Sequence, residues 1–464
     1  MRQIIFIIGF TLPGILPAQE SKLAADFRGE GMRFKDSCSG FSLGKISSCA
    51  ELLFTDHPLH IAMGSLAPQN GFGAGGAFVS HWTPNETWRL SFSVDAIATP
   101  NGSWRAGGYM TAVLVRHPKI SVVSGGSPPS RKSEIAVEES PVFHLYAQSI
   151  SLNTLTYFGL GPTTSDTARS YFGMTQTITG TNVVWPVLKP LHMSLLGEAN
   201  GRFVDLRGAH GQTSPSIEQL YNNVTAPGLA SQPSFAQFGE GIRLRPVFAA
   251  DYVRLNYLFH YQQYVAGDST YSFQRFTTDL SHQFALYKKT RTLHPRDHNS
   301  PNDCSSDPSV LKCPSLTRDL EGSFGFRFLY SQSMHASNHV VPFYFQQTLG
   351  GSDINGNPSL ASYQDYRFRA PNLMLFRGNF EHSLPGRLAP FGVTFIADWG
   401  KVALTSGGLS NTPFLHSYAA GATLRAGGFP MVYLLFAWGG HEGTHTIGSM
   451  NTSLLGGSAR PSLY

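Results

Sequence analysis

Charged side chains and long apolar runs are both scarce in this sequence of 464 residues. Charged residues make up 14%, against about 25% in typical soluble domains. This scarcity argues against an ordinary helical soluble enzyme. After the N-terminal segment no apolar run reaches about 18 residues, so the sequence predicts no transmembrane helix. The net charge is only +5 and the Lys and Arg residues are scattered, which gives no support for a nucleic-acid partner.

Cysteine is also rare, and its placement restricts its role. The four cysteines form two local pairs, Cys38 with Cys49 and Cys304 with Cys313. No C-x-x-C spacing is present, so metal ligation by cysteine has weak support. In an exported chain such local pairs are typical of loop disulfides. We expect two loop disulfides, and we predict no metal, no cofactor and no catalytic residue.

The N-terminal segment has the features of a secretory signal. Residues 1–18 contain Arg2, an apolar run from Ile4 to Leu12, and Ala18 before a candidate cleavage point. The alternative is a membrane anchor, but a run of about 13 residues broken by Pro13 is too short to span a bilayer. Residues 19–70 lack regular alternation and are predicted to form a short N-terminal extension, which could serve as a plug.

From about Gly71 onward, apolar and polar residues alternate along segments of strand length. Between Trp88 and Ala98 every second residue is apolar, and the residues between are Arg89, Ser91, Ser93, Asp95 and Ile97. The same period recurs in 320–330, 374–381 and 391–399. A soluble sandwich would also show it. The length of each segment, about 9 to 13 residues, the signal for export and the Phe-rich apolar faces favour tilted strands that cross a bilayer.

The connections between these segments alternate between short and long. Pro100-Asn101-Gly102 is a tight-turn signal, whereas residues 332–371 form a long connection. Outer-membrane barrels combine short turns at one end with long loops at the other. We count 12 to 16 candidate strands and expect one small helix near 214–220. The sequence therefore predicts an all-β fold in which 71–464 form one transmembrane antiparallel β-barrel.

The segment from Leu349 to Lys401 resembles the barrel end of the BamA-like outer-membrane assembly proteins, also known as the bacterial surface antigen family. Leu349-Gly350-Gly351 matches the family's L-G-G opening, and 360–369 occupies the place of its long-loop motif. Asn379-Phe380-Glu381 fits the next strand, and Asp398-Trp399-Gly400 fits a D-x-G strand end. The resemblance implies 16 strands and a loop, within 349–371, that folds into the lumen. The residues concerned are Gly350, Gly351, Tyr363, Arg367 and Arg369 in the loop, with Arg377, Glu381, Asp398 and Gly400 in the wall.

The sequence departs from the family at one telling position. Where the family has Arg-Gly, this chain has Ala361-Ser362, although the acid that such an arginine pairs with remains as Asp398. An unpaired carboxylate in a partly dry lumen is costly. We therefore expect Arg367 or Arg369, on the same loop, to supply the cation. The alternative is that Asp398 meets lumen water or a wall residue such as Arg377.

The stretch WGGHEGTH, from Trp438 to His445, contains a literal H-E-x-x-H. Two histidines at this spacing share a zinc ion only on a helix, where they lie on one face. The surrounding glycines disfavour a helix. In extended chain His441 and His445 would lie about 13 Å apart, at ~3.3 Å per residue. We therefore predict a hairpin here, not a zinc site.

The family resemblance implies a role in envelope biogenesis, in which proteins or lipids are inserted into or moved across the bacterial outer membrane. It implies outer-membrane lipid and lipopolysaccharide as surroundings. Residues 19–70 are too few for a periplasmic POTRA module, so we expect a separate periplasmic partner protein or client barrels. The alternative is a passive pore or a specific transporter that uses the polar lumen. A soluble enzyme is the least favoured reading.

Overall fold

A computed structural model describes residues 59–115, 140–209, 215–293, 316–384, 391–426, 429–450 and 460–464. The expected signal peptide, the four cysteines and most of the expected N-terminal extension lie outside the described residues. Nineteen strands lie within these described ranges. The first eight are β1 (Leu59–Ser65), β2 (Phe72–Trp82), β3 (Trp88–Ala98), β4 (Trp104–Leu114), β5 (Val142–Tyr157), β6 (Ser170–Leu188), β7 (Met193–Gly208) and β8 (Phe235–Leu244).

The remaining strands complete the same architecture. They are β9 (Val247–Phe248), β10 (Val253–Ala266), β11 (Phe273–Leu293), β12 (Leu316–Met334), β13 (Gln347–Leu349), β14 (Phe368–Ala370), β15 (Asn372–Ser383), β16 (Phe391–Ala403), β17 (Leu415–Ala426), β18 (Phe429–Gly440) and β19 (Gly443–Met450). Two short helices, α1 (Ile217–Leu220) and α2 (Gly408–Asn411), lie in connections. Within the described ranges, neither helix has the length or apolar character to cross a membrane.

One 17-stranded antiparallel sheet contains all strands except β13 and β14. Sixteen of its strands follow one another along the chain, each paired with the next. The seventeenth strand is β9, which has two residues. In the described part of the chain, β9 pairs only with β10. The register runs from β1 on β2 to β18 on β19. The predicted all-β fold with 16 successive antiparallel strands is therefore confirmed.

Alternate residues of each strand face opposite sides of this sheet. On β16 the side chains of Phe391, Val393, Phe395 and Trp399 are exposed, whereas Thr394, Ile396 and Asp398 are buried. We call the side that carries Asp398 the inner face, because residues 340–370 pack against it. The outer face is apolar and uncovered. Phe324, Phe376 and Phe395 are 36%, 42% and 42% exposed, so no second protein layer covers them.

The alternation locates the strands, but some strands extend beyond the alternating segments, as β12 (Leu316–Met334) extends beyond 320–330. Trp88–Ala98 is β3, and the Pro100-Asn101-Gly102 turn is closed by a 3.0 Å bond from Gly102 N to Thr99 O. The sheet begins at Leu59, however, earlier than the expected start at Gly71. The sequence hides this strand because β1 is short and carries apolar residues on both faces, such as Ile61 and Ala62.

The connection that holds Cys304 and Cys313 leaves the sheet between β11 and β12. Because β12 is antiparallel to both of its neighbours, this connection and the one after Met334 lie at opposite ends of β12. Residues 294–315 themselves lie outside the described part of the chain. The expected small helix is confirmed as α1.

Two buried segments fill the space beside the inner face. A 3₁₀ turn at Phe343–Phe345, called the aromatic turn below, packs against Tyr157, Phe172, Phe235 and Phe273. The inner loop, residues 347–370, begins with β13 and ends with β14, which pair with each other. Its apolar residues Leu349, Leu360, Tyr363 and Phe368 form a core with Leu373, Leu375 and Val402 of the sheet.

Candidate functional site

The inner loop is shaped by two glycines at its start. Gly350 has φ +104° and Gly351 has φ +59°, values that residues with a Cβ rarely adopt. A Cβ on Gly350 would lie 2.5 Å from the Cβ of Arg367. The backbone can therefore fold back on itself, and Tyr366 N donates to Gly350 O at 3.1 Å. This compact form places the arginines of the loop in the interior.

The wall of the sheet supplies both charges of the central ion pair. Arg377 on β15 and Asp398 on β16 are directly opposite in the register. Arg377 Nε lies 2.7 Å from Asp398 Oδ1, and its Nη2 lies 2.8 Å from Oδ2. The pair also holds the inner loop. Asp398 accepts from Leu360 N at 2.8 Å, and Arg377 donates to Pro358 O at 2.6 Å.

The expectation that Arg367 or Arg369 would pair with Asp398 is therefore wrong. Arg377 bonds both carboxylate oxygens, and the backbone of Leu360 takes a further position on Oδ2. The wall residue that we weighed as the alternative partner is the one observed. The physical reason is proximity, since cross-strand neighbours on one face are within direct reach of each other.

Arg367 instead joins the inner loop to two distant connections. Its Nε bonds Glu442, in the turn between β18 and β19. Its Nη1 donates to Thr164 Oγ1 and its Nη2 to Thr164 O, both at 2.6 Å. The guanidinium lies between two rings, 4.9 Å from the centroid of Phe158 and 4.7 Å from that of Phe368. Arg367 and the Glu442 side chain are buried, 2% and 3% exposed.

The H-E-x-x-H segment is a hairpin, as the sequence predicts. His441 and Glu442 form the turn, and His445 lies in β19. His441 and Glu442 both contact the inner loop. The Tyr363 hydroxyl lies 3.4 Å from His441 Nδ1, and Gln364 N donates to Glu442 Oε2 at 3.1 Å. No group of three or more potential metal ligands occurs in the ranges described.

The other predicted site residues have distinct positions. Arg369 is buried and donates to Phe343 O at 2.7 Å, with its guanidinium 5.8 Å from the Tyr157 ring. Gly400 makes room for the inner loop, because a Cβ there would lie 2.9 Å from Leu349 Cδ1. Glu381 lies farther along β15, opposite Thr394 in the register. The structure therefore gathers the predicted loop residues and the wall residues Arg377, Asp398 and Gly400 around the inner loop, and the four cysteines lie outside the described residues.

The sequence did not single out Thr164, and it singled out Glu442 only as part of a zinc motif. Thr164 lies in the connection between β5 and β6, far from the loop in sequence. Glu442 is an acid inside a Gly-rich turn, where no helix forms. This position could have marked it as a partner for a buried cation. No comparable signal marks Thr164.

Burial raises the pKa of two carboxyls in the inner loop, Asp353 and Asp365. Asp365 accepts a 2.9 Å bond from Ser352 N. Removal of the carboxyl from water raises the pKa of Asp365, against the opposing effect of that hydrogen bond. The pKa of Tyr366 is also raised strongly by burial. The loop interior therefore favours neutral side chains apart from the paired charges.

No family model matches the sequence, and no curated protein matches it. The structure is similar to BamA from Haemophilus ducreyi lacking POTRA domains 1–3, with 11% identity, a TM-score of 0.45, and 84% of this chain and 70% of that chain covered. It is also similar to CdiB from Escherichia coli, with 12% identity, a TM-score of 0.46 and coverages of 82% and 59%.

CdiB from Acinetobacter baumannii is similar as well, with 10% identity, a TM-score of 0.41 and coverages of 85% and 56%. This chain thus spans little more than half the length of either CdiB. The structure is similar to BamA and CdiB barrels, as the motifs around Asp398 predicted, and at these identities the similarity concerns the fold alone.

Proposed function

We propose that this protein is an outer-membrane β-barrel that helps proteins or lipids to enter or cross the bacterial outer membrane, without enzymatic activity. One observation carries the proposal. The inner loop is fastened to the wall by backbone hydrogen bonds to the Arg377–Asp398 pair, and to the last described hairpin by the Arg367–Glu442 ion pair. The loop therefore braces the edge of the sheet from inside. The exposed apolar outer face supports lipid as the surroundings.

The proposed mechanism uses the two ends of the sheet. The register pairs β1 with β2 and β19 with β18. Strand edges carry backbone groups that can pair with an incoming strand. With the inner loop bonded to the turn that begins β19, the position of this last strand depends on the Arg367–Glu442 pair. The partner is a client chain, with outer-membrane lipid and lipopolysaccharide around the barrel.

Reconstitution in liposomes tests the proposal. The purified full chain is placed in the membrane, an unfolded client barrel is added, and the rate at which the client folds is measured. We expect faster folding than in empty liposomes, and a severalfold slower rate with Glu442→Gln, because this variant loosens the brace. Glu218→Gln, which changes an exposed acid on α1, is the matched control and should match the parent chain.

A passive pore is the competing function, and the same liposomes distinguish it. If the client folds no faster than in empty liposomes and the chain gives a steady conductance for small solutes, the pore is correct. The inner loop and the aromatic turn occupy space beside the inner face, so we expect low conductance from the parent chain.

A further inference from the structure

The aromatic turn is held by arginines from the inner face of the sheet. Arg275 on β11 donates through Nη2 to Phe345 O and through Nε to Ser333 Oγ at 3.3 Å. Arg202 on β7 lies with its guanidinium carbon 6.0 Å from the centre of the Phe345 ring. Tyr264 on β10 lies beside the same ring, at 5.4 Å between centroids. Three polar side chains from three strands thus surround Phe345.

Each of these side chains keeps one donor that bonds nothing among the described residues. The unpaired atoms are Arg202 Nη1, Arg275 Nη1 and the Tyr264 hydroxyl. The residues are 1%, 1% and 0% exposed. Buried polar groups in folded proteins almost always have a partner, and unpaired ones point to a missing water or ion. Three unpaired donors around one ring therefore indicate a ligand that binds at this place.

The local charge is positive and lacks a direct counter-charge. In the described part of the chain, neither Arg202 nor Arg275 forms a salt bridge. Glu198 reaches Arg202 only through Gln237, whose amide donates to Glu198 at 2.6 Å and whose oxygen accepts from Arg202 Nε. Buried charges normally require a partner of opposite sign.

The surroundings limit the size of any ligand. The rings of Tyr264 and Phe273 stack at 4.4 Å, and Phe235 meets Phe345 at 4.9 Å. Rings this close together favour a ligand smaller than a lipid headgroup or a peptide carboxylate. A single-atom anion carries the required negative charge and can accept several hydrogen bonds, whereas a water molecule leaves the charge of the two arginines unbalanced.

We propose that Arg202, Arg275 and Tyr264 form a binding site for a small monovalent anion of halide size, such as chloride. The anion completes the hydrogen bonding of the three donors and offsets the charge of the two arginines. Because Arg275 also holds Phe345 O, the bound anion fixes the aromatic turn against the sheet. The site is independent of the role proposed for the inner loop.

The test uses the purified full chain in detergent. Its melting temperature is measured over a range of sodium chloride concentrations, with sodium gluconate added to keep the ionic strength constant. We expect the melting temperature to rise with chloride and to saturate. Crystals soaked in bromide should show an anomalous peak beside Arg202, Arg275 and Tyr264. Equal melting in the two salts, or a bromide soak without that peak, would overturn the proposal.

A pair of hydroxyl deletions sharpens the test. Tyr264→Phe removes one proposed ligand group, and we expect about tenfold weaker chloride dependence, since a hydrogen bond to a charged group has about this effect. Tyr344→Phe is the control. The Tyr344 hydroxyl is also buried and unpaired among the described residues, but it lies on the aromatic turn itself, so its removal should leave the chloride dependence unchanged. If Tyr264→Phe instead raises the melting temperature equally in both salts, its hydroxyl is merely unpaired and the site does not exist.

Discussion

Arg377 and Asp398 face each other on adjacent strands and form a two-bond ion pair that grips the backbone of the inner loop on both sides. The loop motif of the BamA-like family places an arginine where this chain has Ala361. Here the cation belongs to the wall instead, and the loop contributes only a backbone N–H and a carbonyl oxygen to the pair. The loop is therefore attached to the wall without supplying a charged side chain to this pair.

Removal of one partner of this pair should destabilise the protein strongly. We expect Asp398→Asn or Arg377→Gln to lower the free energy of unfolding by about 3–5 kcal/mol, because each leaves a buried charge without its counterpart. The double variant should lose less than the sum of the two. Denaturant unfolding in detergent measures this. Arg327→Gln, which breaks the more exposed pair with Asp279, should cost about 1 kcal/mol; an equal loss at both pairs would contradict the prediction.

Restoration of the family's arginine at position 361 should harm this chain. Ala361 packs in a small pocket formed by Ile396, Ala419, Leu435 and Ala437, and Asp398 already has a partner. We expect Ala361→Arg to lower the free energy of unfolding by about 3 kcal/mol or more, through overpacking and an added buried charge. Limited proteolysis should then show cleavage within 355–366. An unchanged stability would show that the loop can accept the family's arrangement directly.

The start of the inner loop should tolerate no side chain at Gly350. An alanine there combines an unfavourable φ with a Cβ 2.5 Å from that of Arg367. We expect Gly350→Ala to cost about 2–4 kcal/mol, from backbone strain together with overpacking. Gly356 is the matched control, since it also has a positive φ, +82°, but open space around it. Gly356→Ala should cost about 1 kcal/mol, the backbone contribution alone.

The stability of the inner loop should depend on pH through Asp365. Burial raises the pKa of this carboxyl in the folded state. The folded protein therefore holds the proton more tightly than the unfolded chain, and Asp365 costs stability as the pH rises through its folded pKa. We expect Asp365→Asn to raise the melting temperature at pH 7 to 8 and to have little effect near pH 4. An increase of the same size at every pH would rule out titration of Asp365 as the cause.

Much of the fold was visible in the sequence because a strand with one apolar face repeats every second residue. β3 and β16 show this period plainly, and both were located from it. The alternation did not reveal β1, because this strand has apolar groups on both faces, at Leu59, Ile61, Ala62 and Met63. Period alone therefore finds strands with contrasting faces and overlooks a short strand without that contrast.

The site was predicted less completely than the fold, for a physical reason. The family resemblance located the inner loop and Asp398. It could not show that Arg377 lies opposite Asp398, because pairing register depends on where each strand begins and on its bulges. Likewise, Arg367 contacts Glu442 and Thr164 across the interior. The sequence around Arg367 does not indicate either contact, because both partners are far away along the chain.

The contacts of Arg367 also join parts of the chain that are far apart in sequence. Its guanidinium takes one partner from the connection after β5 and the other from the turn before β19, the last described strand of the sheet. Both must be in position before this side chain can satisfy its bonds. The bonds of Arg367 are therefore complete only in a fold that has brought an early connection and a late hairpin to the same loop.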